Sequence, residues 1–269
     1  MAISKLAVVS PQAELADDVE VGPFCYIGPH VVVGSGTILQ HRVTIVGHTR
    51  IGRDNIIYPN ATLGNPPQDK TYGDEPTRLE IGDGNVIREG VSMNRGSTKE
   101  EGVTRVGSRC YLMAGCHVAH DNLIGDDVIF GNNVLIAGHV HVGDGANLNG
   151  GAAVHPFTTI GRLAYVGGLT RIVQDVPPFL IVEGHPSRVR GVNSVGLRRA
   201  GVSQEVIGAI AKAYRRIYRH GRPQTEVLHE MENEDGWPQE VRDLCAALRA
   251  SAAGKNGRYR ESLRAKPPA

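Results

Sequence analysis

The sequence has 269 residues, enough for one large domain or two smaller ones, and 41% of them are hydrophobic. Only 5% are aromatic while 34 are glycine, which excludes an ordinary core of mixed side chains and suits a narrow aliphatic core interrupted by turns. Lys and Arg (29) balance Asp and Glu (28), so no net field directs the chain to nucleic acid or to a membrane surface.

The chain opens Met-Ala-Ile-Ser-Lys with no long apolar run behind it, and no stretch approaches the ~18 apolar residues of a membrane span. No integral membrane segment is expected. From Val9 onward an aliphatic residue returns at every sixth position: Leu15, Val21, Ile27, Val33, Leu39, Ile45, Ile51, Ile57 and Leu63. The series resumes at Ile81, Ile87 and Met93, then shifts phase by one. It restarts at Val106 and runs through Leu112, Val118, Ile124, Phe130, Ile136, Val142, Leu148, Val154, Ile160 and Val166 to Ile172.

Two residues before each anchor the side chain is small or β-branched, as at Ala7, Ala13, Val19, Cys25, Val31, Thr37, Val43, Cys110 and Cys116. Residues i and i+2 of a strand share a face, so both sets point inward. Glycine often follows the anchor (Gly22, Gly34, Gly107, Gly125), where it is expected to serve sharp corner turns. A six-residue period of this kind is the hexapeptide signature of a parallel β-helix. Three hexads make one triangular coil, with coils spaced about 4.8 Å apart. Hexapeptide-repeat proteins, which the pattern resembles, wind left-handed, against the usual right-handed crossover. The map also makes Cys25, Cys110 and Cys116 core fillers. With Cys245 they lack zinc-type spacing and a disulfide framework, so a reduced, cytoplasmic protein is expected.

Two segments break the ladder. Over 64–80 the hexad would bury Asp69 and Glu75, which is too costly, so this segment is a loop. A second loop covers 94–105. Long loops on a rigid scaffold commonly carry function. The coil pattern ends near Val173, and Asp-Val-Pro-Pro at 175–178 turns the chain. An amphipathic helix follows at 203–220, with Val206, Ile210, Ala213, Tyr214 and Ile217 as its stripe, Ser203 as cap and Gly221 as stop. Further helices are expected at 224–232 and from Pro238, the last with Val241, Leu244, Cys245 and Leu248 inward. Residues 1–189 are thus read as the β-helix and 190–269 as a C-terminal helical domain with a frayed end.

The 11 histidines point to the chemistry. Val118, Ile136 and Val154 are 18 apart, so they stack, and His120, His139 and His155 are expected to line one corner over two coil steps. Both loops leave from that corner. A histidine on an exposed corner is ordinarily just a solvated side chain, but a column of them beside two polar loops suggests a site. Imidazole can take a hydroxyl proton near neutral pH, and Asp121 could orient His120. Two other readings stay open at this point: a zinc enzyme of the carbonic anhydrase type using His139 and His141, and a non-catalytic solenoid.

Several stretches resemble the UDP-N-acetylglucosamine acyltransferase family. They include Ile-Gly-Pro-His at 27–30, Gly-His-Thr-Arg-Ile-Gly-Arg-Asp-Asn at 47–55, Pro-Gln-Asp at 67–69 and Glu-Pro-Thr-Arg-Leu-Glu-Ile-Gly at 75–82. His-Val-Ala-His-Asp at 117–121, Ala-Gly-His at 137–139, Ala-Val-His at 153–155, Gln-Asp-Val-Pro-Pro at 174–178 and Gly-Val-Asn at 191–193 extend the match. The resemblance implies a left-handed parallel β-helix with a C-terminal helical domain. It implies a homotrimer that moves a 3-hydroxyacyl chain from acyl carrier protein to the 3-hydroxyl of a UDP-amino sugar in lipid A synthesis. N-acylation of a 3-amino sugar nucleotide is a variant of the same reaction.

His120 is then the general base, Asp121 its support, and the Gly138 N–H the oxyanion donor. Asp69 and His117 hold the sugar, and Thr71, His139 and His155 contact substrate. Asn193 and Arg199 reach the nucleotide or the carrier phosphate, and Gly168 leaves room for a long acyl chain. No metal and no cofactor are implied, since the carrier's phosphopantetheine thioester is a substrate. The chain departs from the family at Pro156 (usually glutamine), Thr71 (a lysine), Val195 (acidic) and Ala200 (arginine), which bears on the acceptor more than on the chemistry.

Overall fold

The computed structural model describes residues 2–263; the final residues, read as frayed, lie outside that range. Short strands, mostly of two residues, stack into three sheets of 11, 9 and 8 strands. The chain visits the sheets in rotation, so each circuit is one triangular coil of a left-handed β-helix. Val118 pairs with Ile136, and Ile136 with Val154, which fixes the 18-residue register. Every anchor from Val21 to Ile172 is buried, while Val9 and Leu15 pack half-buried in the first coil. At roughly 1.5–3 kcal/mol for each buried aliphatic side chain, this ladder dominates stability. Cys25, Cys110 and Cys116 fill the small inward positions as free thiols. Burial pushes Cys110 and Cys116 up to about 11, so both stay protonated.

The glycines after the anchors do not make the corner turns. The left-handed backbone falls three residues after the anchor, as at Asp121 (φ 59°), His139 (φ 64°) and Phe157 (φ 64°). What the post-anchor glycines supply is close approach. A Cβ on Gly34 would lie 2.6 Å from the Gly52 carbonyl oxygen of the next coil, and one on Gly107 2.5 Å from that of Gly125. Coil stacking, not turn geometry, demands them.

Both interruptions are loops, shorter than the hexad pattern suggests. Strands Thr62–Asn65 and Arg78–Ile81 bound the first, and Ser92–Asn94 and Val103–Val106 the second. Each loop runs from the second sheet to the third, so both leave from one corner. Arg95 clamps the first loop. Its guanidinium is buried and donates to the Gly64 carbonyl, the Tyr72 hydroxyl and Asp74.

The winding continues past Val173. Val176 bridges to Ile160, and Val182 pairs in parallel with Val166. Each partner is 16 residues on rather than 18, so the last coil loses two residues and the hexad phase with them. Strand Arg188–Val192 then returns antiparallel on Leu180–Glu183. Among the described residues five helices follow: α1 (Ser194–Arg199), α2 (Gln204–Tyr218), α3 (Gln224–Glu232), α4 (Gln239–Ala253) and α5 (Tyr259–Ser262). Ser203 caps α2 by accepting from the Val206 N–H. A second apolar core joins Phe179, Leu197, Ile210, Leu228, Trp237, Leu244 and neighbours, and Val189 packs against both cores.

Candidate active site

Three stacked strands, His117–Val118, Leu135–Ile136 and Ala153–Val154, lead into the corner from which the two loops leave two coils and one coil earlier. His120 lies there with its side chain 14% exposed, sheltered but reachable. Its Nδ1 is 2.7 Å from Asp121 Oδ2. Asp121 is fully buried, and its carboxylate also accepts from the Ser97 N–H (2.7 Å) and the Ser97 hydroxyl (2.6 Å) of the second loop. Burial opposes ionisation of Asp121, but the hydrogen bonds from His120 and Ser97 outweigh it and hold the carboxyl below its ordinary value. An ionised Asp121 takes the proton-bearing Nδ1 of His120, which leaves Nε2 with its lone pair. Gly138 lies against the face of that ring, where an added Cβ would come 2.8 Å from Cε1 and 2.9 Å from Nε2. Among the described residues no acceptor takes the Gly138 N–H. A proton acceptor and a free backbone donor therefore sit side by side.

His139 is the nearest neighbour, edge-on to His120 with ring centroids 5.0 Å apart. It is buried and stacked on Phe157 at 4.4 Å. His155 does not join this pair, since its Nδ1 faces the Pro156 carbonyl at 3.0 Å. The offsets explain the difference. His139 and Phe157 both stand three residues after their anchors, whereas His155 stands one after, on the outer face of the coil. His117 lies on that face too, where its Nδ1 meets the Ser92 hydroxyl at 2.8 Å and burial lowers its pKa. Among the described residues His120, Asp121 and His139 group closely enough to hold a metal ion. His141, the partner suggested by the zinc reading, is on the third sheet and outside that group.

Asp69 is anchored across the loops. It accepts from the Thr71 N–H and hydroxyl and pairs with Lys99, which together hold its carboxyl far below the usual range. The other expected residues are elsewhere. Gly168 is exposed at the corner between the first and second sheets. Asn193 and Arg199 line a cavity of about 600 Å³ with Asp144, Arg162 and Tyr165, beside the corner between the third and first sheets. Asn193 spends its side chain on structure, capping α1 at the Gly196 N–H and donating to the Leu163 carbonyl. Sequence reasoning missed Ser97, Lys99 and Glu100. Their loop was marked as functional, but outside the hexad phase no spacing assigns a residue to a partner.

Residues 175–256 match the family described as UDP N-acetylglucosamine O-acyltransferase, domain 2, and residues 12–47 match bacterial transferase hexapeptide repeats. An acyl-[acyl-carrier-protein]–UDP-N-acetylglucosamine O-acyltransferase of Halorhodospira halophila is 52% identical over 80% of this chain and 83% of its own. The protein of the same name from an Anaeromyxobacter strain is 42% identical over 94% of this chain and 99% of its own. The chain belongs to the UDP-N-acetylglucosamine O-acyltransferase family. A solved UDP-N-acetylglucosamine acyltransferase from Bacteroides fragilis superposes with a TM-score of 0.88 at 38% identity, over 92% of this chain and 96% of that one. Both the hexapeptide coils and the helical cap of the acyltransferase family are thus present. No helix among the described residues is long and apolar enough to cross a membrane.

Proposed function

We propose that the chain transfers a 3-hydroxyacyl group from acyl carrier protein to the 3-hydroxyl of UDP-N-acetylglucosamine in lipid A synthesis, with His120 as general base. The carrying observation is the Asp121–His120 pair set against the Gly138 N–H. Nε2 of His120 takes the sugar hydroxyl proton as the oxygen attacks the thioester carbonyl. Asp121 stabilises the imidazolium, and the Gly138 N–H receives the tetrahedral oxyanion. Collapse expels the carrier thiol, which takes the proton back from His120. Asp69 and His117 hold the sugar, with Thr71, His139 and His155 around it. No cofactor is required beyond the carrier's own thioester.

We also propose a homotrimer with the site between chains. In one chain the assigned residues fall on three different corners, with His120 on one, Gly168 on another and Arg199 by the third. Three-fold packing brings corners of different chains together. In that arrangement Arg199 serves the nucleotide or carrier phosphate, and Gly168 lies along the acyl groove. Val8, Tyr26, Ile129 and Leu135 are large exposed apolar side chains on the outer faces of the first two sheets, which favours such packing. The four buried free thiols suit the reducing cytoplasm.

The test is transfer by His120→Ala with a panel of carrier thioesters and sugar nucleotides, beside the particle mass. Turnover should vanish while the mass stays that of three chains. Near-normal turnover by the variant removes His120 as base, and a monomer mass for the wild type removes the shared site.

A further inference from the structure

The C-terminal segment reaches back to the catalytic corner. Arg260, on α5, donates through Nη2 to both carboxylate oxygens of Glu100 at 3.1 Å, 160 residues earlier in the chain. Its Nη1 donates to the His139 carbonyl. Glu100, on the second loop, places Oε1 3.0 Å from Nδ1 of His139. The same Nδ1 lies 3.8 Å from Asp121 Oδ2, the oxygen that His120 uses. The segment is firmly seated. Asp175 donates its N–H to the Gly257 carbonyl (2.7 Å) and accepts from the Tyr259 N–H (2.9 Å), and buried Arg258 donates to the Val173 carbonyl.

These contacts set up a competition. His139 carries one Nδ1, and two carboxylates stand near it. Phe157 holds the ring in plane from one side, and Glu100 takes the Nδ1 proton. Without that acceptor the nearest partner is Asp121, whose two oxygens already serve His120 and Ser97. We propose that Glu100, held by Arg260 of the C-terminal segment, is a positioning residue that keeps His139 off Asp121 and so reserves Asp121 for His120. This rests on the reading of His120 as base. The groups facing His139 are Glu100 from the loop, Arg260 from α5, and His120 and Asp121 from the adjacent coil, with Phe157 apolar on the remaining face. Burial works against the charge on Glu100, but His139 and Arg260 outweigh it and keep the carboxyl below its ordinary value.

The experiment compares Glu100→Leu, Arg260→Ala, Arg260→Lys, the Glu100→Leu/Arg260→Ala double variant and His120→Ala, by kcat, KM and the pH profile of kcat/KM. Glu100→Leu, which removes the acceptor, should lower kcat about tenfold, the scale of a sub-ångström misplacement of a catalytic group, with little change in KM. Its acid limb should move to lower pH, because His120 loses part of the help of Asp121 and a nearby negative charge. The double variant should be no slower than the slower single one, since both act through one contact. Arg260→Lys should keep more activity than Arg260→Ala. An inactive His120→Ala beside a Glu100→Leu of wild-type kcat and pH profile overturns the positioning role and leaves the base intact. So does a kcat that falls only with melting temperature while the acid limb stays still. Turnover by His120→Ala instead overturns the base reading beneath it.

Discussion

Adding one methyl group at Gly138 should push the base out of position while leaving the oxyanion donor in place. Gly138 has an ordinary backbone conformation, so Gly138→Ala adds no φ strain. Its Cβ would lie 2.8 Å from Cε1 and 2.9 Å from Nε2 of His120. Comfortable carbon contacts begin near 3.5 Å, so the imidazole must retreat by about 0.6 Å or more. The three ring atoms Cε1, Nε2 and Nδ1 lie 2.8, 2.9 and 3.3 Å from that Cβ, so the methyl presses on the ring face and the retreat runs perpendicular to the ring plane, which tilts the Nδ1 contact with Asp121 off axis. A displacement of that size at a catalytic group costs about tenfold in rate, or about 1.4 kcal/mol of barrier. Overpacking of one methyl costs the fold only about 1–3 kcal/mol. Steady-state kcat with saturating carrier thioester and sugar nucleotide, beside a thermal melt, measures both. A Gly138→Ala protein with wild-type kcat and KM would refute the argument, because the base cannot sit where it does and tolerate that atom.

Arg95→Met should free the first loop. It strands the Gly64 carbonyl and removes one donor from the Tyr72 hydroxyl, costs about 1–3 kcal/mol, speeds limited proteolysis within 66–77 and raises KM for the sugar nucleotide through Asp69. Phe130→Ala empties a fully buried anchor of the first sheet and should cost about 3–5 kcal/mol by urea unfolding, with little direct effect on KM. His141 gives a pH signature. Burial, followed by the charge of Arg260, pushes it down to about 4 from an ordinary 6.5, and its Nε2 is buried without a partner. A histidine depressed in the fold contributes its full stability above pH 6.5 and loses it as pH falls towards 4. On the order of 2 kcal/mol should disappear across that window after allowance for partial exposure. His141→Gln should flatten that slope in melts taken between pH 4 and 7, and an unchanged slope rejects the assignment.

The ladder was legible because burial and period coincide: an 18-residue circuit leaves no choice about which side chains face inward. The same arithmetic brought His120 and His139 to one corner. It brought His155 to the end of the next strand at that corner but gave no sign of the turn of its ring to the Pro156 carbonyl, because a shift of two residues around a corner changes the direction of a side chain. The glycines were seen but given the wrong task, since contact between coils does not register in a single strand. The last coil was lost when its period shortened by two residues. Ser97, Glu100 and Arg260 could not be read at all: loop and tail residues find their partners through tertiary contact, and no period reports it.

The antiparallel return of Arg188–Val192 bears on self-association of another kind. A solenoid of parallel strands is a template on which a further molecule could stack end to end and grow into a fibre. Fibre growth needs an unpaired strand row at both ends of every unit. Here the terminal strand of the first sheet is already occupied by a partner running the wrong way for another coil. The first sheet is therefore closed to a further parallel coil at that end.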